Sequence, residues 1–328
     1  MHIFVVFQTL LQCLTMTTPI FSKKVIEIFD QEVIRYQDHN ENICLDIIPE
    51  KAQIVDIKLQ GTSILCGPSN KEELLENSSY KGAFLVPFPN RLKNGKFTFQ
   101  GKEYQFPVND KSNQHALHGF KRVGPFKVVT EEAGSSLFLS LQHSYDGHLD
   151  YFPFPFLFSV DIRVDKFKLE VAIQILNTGL SEAPFGFGWH PYFTLHRSID
   201  ECSFCIPTCK KIELDECMIP SGKTTPFKDF SKSKKIESAC FDTPFLLSGD
   251  ADFTSVVLED ERYKLRYYQE TRPSKFNYLQ IYTPEDRQSI AFEPMTCNVN
   301  ALNNQEGLHI LAPGKKLRAR CGVELKTK

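Results

Sequence analysis

Short runs in which apolar and polar residues alternate recur along the whole chain, while long helical patterns are scarce. Alternation of this kind lets one face of a strand cover a core while the other meets water. It is clearest at 96–106 (KFTFQGKEYQF) and 158–176 (FSVDIRVDKFKLEVAIQIL), which predict two hairpins. The one helix candidate is 70–79, with Asn70 as its N-cap. Because strand follows strand without an amphipathic helix between them, we expect an all-β fold, a large antiparallel β-sandwich with few short helices.

The length and charge of the chain limit its partners. It has 328 residues, 41% of them hydrophobic, and a formal net charge of -2. A chain of this size builds a core without disulfides or metals, and near-neutral charge gives it no electrostatic attraction to nucleic acid or to an anionic membrane. We therefore expect a single domain over 22–328, with neither nucleic acid nor membrane as a partner.

Residues 1–21 are interpreted as an extension that precedes the fold. The apolar run from Met1 to Leu14 is short, glutamines interrupt it, and no Lys or Arg precedes Lys23. A secretory signal begins with a basic region, and a membrane-spanning helix needs about 20 apolar residues. We expect a cytoplasmic protein, with export through this weakly signal-like segment as the alternative.

The ten cysteines give two interpretations. Four of them cluster in CSFCIPTCKKIELDEC, from Cys202 to Cys217, and the CxxC spacing suits one half of a zinc site. No second CxxC or HxxxH follows at the usual distance, so free and mostly buried thiols are favoured over zinc.

Four stretches place polar residues with catalytic chemistry among apolar or turn-forming neighbours. They are Asn90 and Arg91 in FLVPFPNRLKNG, His115 and His118 in NQHALHGF, His190 in GWHPYF, and Glu293 in IAFEPMT. Each also has a structural interpretation, as a surface charge, a hydrogen-bonded core histidine or a strand end. A carboxylate and an imidazole together can act as general base and general acid, so the residues alone indicate a His/Glu acid–base site on a β protein.

The same stretches, in the same order, resemble the aldose 1-epimerase (galactose mutarotase-like) family from about residue 24 onwards. The matching pieces are PFPNRLKNGKFTFQGKEYQFPVND, HALHGF, FGFGWHPYF, LDECMIPSGK, FDTPF and FEPMTCNVNALN. The resemblance implies a large antiparallel β-sandwich that interconverts the α and β anomers of a free aldose, galactose or glucose above all. It implies no cofactor and no metal, because the reaction needs only two proton transfers. We expect a monomer or a weak dimer.

The resemblance also implies a role for individual residues. Glu293 matches the general base that takes the proton of the C1 hydroxyl, and His190 matches the general acid that protonates the ring oxygen. The positions that match sugar-binding residues are Asn90, Arg91, His118 and Asp242. Trp189 and Tyr192 are further candidates for stacking on the sugar, with plain core packing as the alternative for both.

Two departures from the family pattern leave the substrate open. Trp189 stands where galactose mutarotases tend to have Asn before the acid histidine. They often have two glycines after the LH of the second motif, whereas here the motif reads HGF and is followed by Lys121 and Arg122. Paired cations suit a phosphate group, so a hexose-6-phosphate 1-epimerase is one alternative. A non-catalytic carbohydrate-binding protein on the same fold is the other.

Overall fold

A computed structural model describes residues 21–120, 123–272 and 274–328. Apart from Phe21, which is buried, the predicted extension lies outside the described residues, as do Lys121 and Arg122. The first strands are β1 (Ser22–Ile28), β2 (Gln31–Gln37), β3 (Cys44–Ile48), β4 (Gln53–Leu59), β5 (Thr62–Ser63), β6 (Phe84–Leu85), β7 (Arg91–Leu92), β8 (Lys96–Phe99), β9 (Lys102–Gln105) and β10 (Ala116–Leu117). They are followed by β11 (Lys127–Ala133), β12 (Leu137–Tyr145), β13 (Phe156–Val164), β14 (Lys168–Asn177), β15 (Ala183–Phe185), β16 (Gly188–Trp189), β17 (Tyr192–Phe193), β18 (Ser203–Cys205), β19 (Cys209–Leu214) and β20 (Pro220–Phe227). The last are β21 (Lys234–Lys235), β22 (Asp242–Leu246), β23 (Phe253–Glu259), β24 (Tyr263–Glu270), β25 (Tyr278–Tyr282), β26 (Ile290–Met295), β27 (His309–Leu311) and β28 (Lys316–Thr327).

Two large antiparallel sheets dominate the fold. One has nine strands in the order β11-β12-β13-β14-β28-β24-β23-β18-β21, and the other has eight in the order β20-β19-β22-β25-β26-β16-β6, with β17 also paired to β26. A third sheet, β1 to β5, has its strands in sequence order. Both predicted hairpins are present, as β8–β9 and β13–β14. The prediction of an antiparallel β fold is therefore confirmed.

Aromatic side chains fill the space between the two large sheets. Phe292 of β26 lies 5.8 Å from Phe204 of β18 and 5.8 Å from Tyr267 of β24, measured between ring centroids. All three are fully buried, because inward positions recur every second residue along each strand. Many of the 28 Phe residues of the sequence therefore belong to one large core cluster, which fills the space between the two facing sheets.

The helical part of the described chain is small. Helix α1 (Lys71–Glu76) begins at the predicted cap, where the Asn70 side chain accepts a hydrogen bond from the Glu73 amide at 2.9 Å. Helix α2 (Ala301–Asn304) has four residues. A transmembrane helix needs about 20 apolar residues, so neither described α-helix can span a bilayer.

Candidate active site

A cavity of about 700 Å³ opens over the eight-stranded sheet, where β22, β25 and β26 meet the turns around His118 and His190. The predicted site residues in its lining come from five separate parts of the sequence. Seven of the eight predicted site residues line it, and they are Asn90, Arg91, His118, His190, Tyr192, Asp242 and Glu293.

Strand pairing places the polar floor of this cavity. Glu293 on β26 is paired with Gln280 on β25, and the Gln280 amide donates a hydrogen bond of 2.6 Å to the carboxylate of Asp242 on β22. On the other side of β26, Tyr192 is paired with Ala291. His190, between β16 and β17, is thereby held against the strand that carries Glu293.

His190 and Glu293 form a buried pair at the base of the cavity. The distance from His190 Nε2 to Glu293 Oε1 is 3.3 Å, and the two side chains are 6% and 2% exposed. His190 Nδ1 and Glu293 Oε2 have no hydrogen-bond partner among the described residues. Unpaired polar atoms at a buried site are costly unless a ligand satisfies them, so this pair is arranged for something that enters the cavity.

Burial shifts the protonation of both members of the pair towards their neutral forms. It lowers the pKa of His190 from 6.5 to about 3. It raises the pKa of Glu293 well above its ordinary range, an effect to which the charge of Asp242 adds and which Arg91 opposes. In a water-poor site neither an isolated imidazolium nor an isolated carboxylate is well solvated. At neutral pH the pair therefore carries one titratable proton, on Glu293.

A backbone contact fixes the tautomer of His118. The Asn90 amide donates to His118 Nδ1 at 3.1 Å, and the His118 amide donates to the Asn90 carbonyl at 2.8 Å. Nδ1 must therefore carry the lone pair, which puts the proton of the neutral ring on Nε2. Burial, with help from His190 and Arg91, lowers the pKa of His118 well below its usual value. His118 is consequently a neutral hydrogen-bond donor in the cavity wall.

The turns that position His118 and Asn90 use left-handed backbone conformations. Their φ angles are +60° and +59°, which non-glycine residues adopt rarely. Gly119 follows at φ +66°, and a Cβ there would clash with the Val86 carbonyl. The HG motif is therefore a geometric requirement, because only glycine allows the two segments to approach this closely.

A salt bridge holds Arg91 at the side of the cavity. Its Nε donates to Asp110 Oδ2 at 2.9 Å, while Nη2 lies 3.9 Å from Asp242 Oδ2. Asp110 is itself held by Asn113, whose amide side chain donates to it at 3.0 Å. Asp110, which does not line the cavity, thus orients the guanidinium. Asp242, which does line it, lies near the other end of the same group.

Tyr192 lies in the cavity wall, whereas Trp189 does not. The Tyr192 ring stacks on His190 at 4.8 Å, and its hydroxyl donates to the Ser79 carbonyl at 2.9 Å. Trp189 is fully buried against Phe84, and its indole N–H donates to the Gly82 carbonyl at 3.3 Å. The prediction that Trp189 contacts the sugar is wrong, because the residue next to an inward-facing His190 turns to the opposite side and into the core.

His115, the other histidine of NQHALHGF, has the structural role that was the alternative for it. Its Nδ1 accepts from the Asn94 amide at 3.1 Å, and its Nε2 lies 3.0 Å from the Cys217 carbonyl. Both ring nitrogens are therefore engaged in holding loops together outside the cavity.

Several residues of the site were not anticipated from the sequence. Tyr80 packs its ring 4.5 Å from His118, Gln280 bridges Asp242 to the floor, and Asp110 orients Arg91. Asp110 stands in PVND, inside a stretch matched to the family, so its proximity to the motif was the one available signal. The other two carry no local signal, since a glutamine inside a strand or a tyrosine in a loop is unremarkable by sequence.

Two groups of described side chains have the spacing of metal ligands. The ligand atoms of His118, His190 and Glu293 lie within 4.8 Å of one another, and so do those of His196, Asp260 and Glu261. Neither group contains a cysteine. All nine described cysteines are free thiols, five of them buried, as the thiol interpretation predicted.

The facing antiparallel sheets of this chain form the galactose mutarotase-like fold. The buried histidine–carboxylate pair lies in a polar cavity of that fold. A galactose mutarotase-like protein from Clostridium acetobutylicum has this fold, with a TM-score of 0.82 at 22% identity over 94% of this chain and 99% of that one. A galactose 1-epimerase from Lactobacillus acidophilus gives a TM-score of 0.78 at 14% identity over 94% and 99%.

A sequence model described as aldose 1-epimerase matches residues 35–324, and the chain belongs to the aldose 1-epimerase family. The uncharacterized protein YihR of Escherichia coli (strain K12) is 29% identical over 282 residues, 83% of this chain and 87% of that protein. The galactose mutarotase of Rattus norvegicus is 25% identical over 216 residues, 62% of each chain.

Proposed function

We propose that the protein is an aldose 1-epimerase that interconverts the α and β anomers of a free hexose. The observation that carries the proposal is the 3.3 Å approach of His190 Nε2 to Glu293 Oε1 at the base of a polar cavity. Opening and reclosing a pyranose ring requires one group that takes a proton and one that gives it. A buried pair that shares a single proton, here named the acid–base pair, supplies both.

The reaction proceeds in two symmetrical halves. Glu293 takes the proton from the C1 hydroxyl while His190 protonates the ring oxygen, and the C1–O5 bond breaks to give the open-chain aldehyde. After rotation about C1–C2, the C5 hydroxyl attacks the other face with the roles reversed. Since burial alone favours a protonated Glu293, this direction requires that hydrogen bonds from the bound sugar stabilise the carboxylate and move the proton to His190.

The remaining cavity residues bind and orient the ring. His118, neutral and protonated on Nε2, donates a hydrogen bond to the sugar. Arg91 donates through the guanidinium nitrogens that Asp110 leaves free, and Asp242 accepts from a hydroxyl at the mouth. Asn90 holds His118 through its backbone, and Tyr192 presents an aromatic surface to the ring.

Polarimetry on freshly dissolved α-D-galactose and α-D-glucose tests the proposal. Wild type should speed equilibration, and Glu293→Gln and His190→Asn should each lower kcat/KM by at least about 100-fold. Glu285→Gln, an exposed carboxylate outside the cavity lining, is the matched control and should equal wild type. Normal rates in either active-site variant would refute the assignment.

A chelator separates proton transfer from metal chemistry at the same side chains. His118, His190 and Glu293 have metal-ligand spacing, so activity lost with EDTA and restored by a divalent cation would support a metal centre instead. Activity that survives EDTA would support the acid–base pair acting alone.

A further inference from the structure

A second group of metal-ligand side chains lies where the turn between β23 and β24 meets the loop that follows β17. Its members are His196, Asp260 and Glu261, here named the His196 cluster, and one ligand atom of each lies within 4.8 Å of those of the others. None of them belongs to the described lining of the cavity. The proposed function gives the cluster no role, so what it binds is a separate question.

Asp260 is a buried carboxylate of which the protein uses only one oxygen. Its side chain is 0% exposed. Oδ1 accepts hydrogen bonds from the amides of Arg262 and Tyr263, both at 2.7 Å. Oδ2 has no hydrogen-bond partner among the described residues, and no described lysine or arginine forms an ion pair with it. An unsatisfied buried carboxylate oxygen is costly, so this oxygen is placed for a cation.

The ring of His196 contacts the same oxygen without donating a hydrogen bond to it. Nδ1 lies 2.7 Å from Asp260 Oδ2, but the two atoms lack hydrogen-bond geometry. The other ring nitrogen, Nε2, is hydrogen-bonded to Glu261 Oε1 at 3.0 Å. Because a carboxylate only accepts, the one proton of the neutral ring is on Nε2, and Nδ1 keeps its lone pair.

A metal ion accounts for the contact between Nδ1 and Oδ2 better than a second proton does. Two lone pairs at 2.7 Å repel each other unless both share a positive charge. Nitrogen and oxygen ligands at about 2.0–2.2 Å from one ion lie roughly 3 Å apart, and neither has to point at the other. An imidazolium would instead direct its Nδ1–H at the oxygen, and the contact lacks that alignment.

Glu261 stands where a carboxylate commonly supports a metal-binding histidine. Such a histidine donates its other N–H to the carboxylate, which fixes the tautomer and the orientation of the ring. Glu261 Oε1 accepts from His196 in this way, and it also accepts from Arg197 Nε at 3.0 Å. The side chains of His196 and Glu261 are 24% and 52% exposed, so an ion in solution has a path to the buried oxygen of Asp260.

We propose that the His196 cluster binds a divalent transition-metal ion, with His196 Nδ1 and Asp260 Oδ2 as its protein ligands and water as the rest. Imidazole favours a transition metal over Mg²⁺ or Ca²⁺, and the carboxylate and water extend the choice to Mn²⁺. The ion joins the β23–β24 turn to the loop after β17, and its role is structural because the acid–base pair lies in the separate cavity. The inference is therefore independent of the proposed function.

Binding of Mn²⁺ tests the proposal, because this ion has little affinity for the free thiols of the protein. Protein that has been treated with EDTA and freed of it is titrated with Mn²⁺, and electron paramagnetic resonance measures the ion left unbound. Wild type should bind one ion per chain, and His190→Asn, which removes a candidate ligand from the cavity, should bind it equally well. Asp260→Asn should raise Kd at least about 100-fold, and Glu261→Gln should raise it about tenfold.

Further measurements separate metal ligation from charge and from folding. Glu201→Gln removes an exposed carboxylate that pairs with Arg197 but is not part of the cluster, and it should bind like wild type. Asp260→Asn keeps an oxygen for the two backbone amides and should fold; if it does not, Glu261→Gln changes an exposed side chain and carries the test. Saturating Mn²⁺ should raise the urea midpoint of wild type but not that of Asp260→Asn, because the ion stabilises only the state that binds it.

Three results would overturn the proposal. Loss of binding in His190→Asn with full binding in Asp260→Asn would place the ion in the cavity. Equal losses in Glu201→Gln and Asp260→Asn would show that the ion responds to charge alone. Absence of binding to wild type, with an unchanged urea midpoint, would leave His196 as a protonated link between two carboxylates.

Discussion

Replacing His190 should change how the stability of the protein depends on pH. The imidazole titrates near 6.5 when it is exposed to water and near 3 in the folded protein. Because its folded pKa is lowered, the unfolded chain binds a proton that the native state does not, and stability is lost as pH falls below 6.5. Integrated from pH 7 to pH 5, this difference amounts to about 2 kcal/mol. His190→Asn removes it.

The assay is the free energy of unfolding in urea at pH 7 and at pH 5 for wild type and His190→Asn. The variant should gain about 2 kcal/mol relative to wild type on going to pH 5. Glu293, whose raised pKa has the opposite effect on stability, and His118 are present in both proteins, and burial, the largest cause of both shifts, acts in both. Tyr192→Phe, which does not titrate in this range, should lie parallel to wild type. If the free energy of unfolding of His190→Asn also changed with pH by the same amount as that of wild type, the conclusion that His190 is buried and neutral would be refuted.

Four further outcomes follow from the same geometry. The pH profile of kcat/KM should be bell-shaped, with its acid limb well below 6.5 because the acid–base pair keeps a proton acceptor down to about pH 3; an acid limb at 6.5 would contradict this. Asp110→Asn should raise KM about tenfold with little change in kcat, because Arg91 loses the partner that orients it. Steady-state kinetics of the variant and of wild type measure both constants. Trp189→Phe should cost about 2 kcal/mol in urea unfolding but leave kcat/KM unchanged, since the indole packs in the core. Gly119→Ala should cost at least about 2 kcal/mol and lower kcat/KM as His118 shifts, which unfolding and kinetics on one preparation would establish.

Alternation in the sequence was sufficient to predict the elements that depend on local order. The hairpins at β8–β9 and β13–β14 were predicted because each turn lies between two runs of matched period. The Asn70 cap was predicted because its hydrogen bond closes within four residues. The order of strands in the two large sheets could not be predicted from the sequence. For example, β14 pairs with β28 across more than a hundred residues, and no local pattern determines that pairing.

The candidate site likewise contains residues that the sequence predicts and residues that it does not. Composition indicated only a histidine and a glutamate with complementary chemistry, and the ordered motifs added the sugar-binding positions. Gln280 was missed because its contact with Asp242 depends on the register between β22 and β25. Trp189 was assigned to the sugar site because the sequence of a motif does not show which of two adjacent side chains faces the cavity.

The position of β28 has a consequence for how the protein is made. This strand comes last in chain order, yet it lies between β14 and β24 in the middle of the nine-stranded sheet. While the ribosome is still synthesising it, the sheet exists as two halves, each with an unpaired inner edge. Exposed edges of this kind recruit other chains. Pairing of these twelve residues with β14 and β24 removes both unpaired edges at once, and the nine-stranded sheet is continuous only after it.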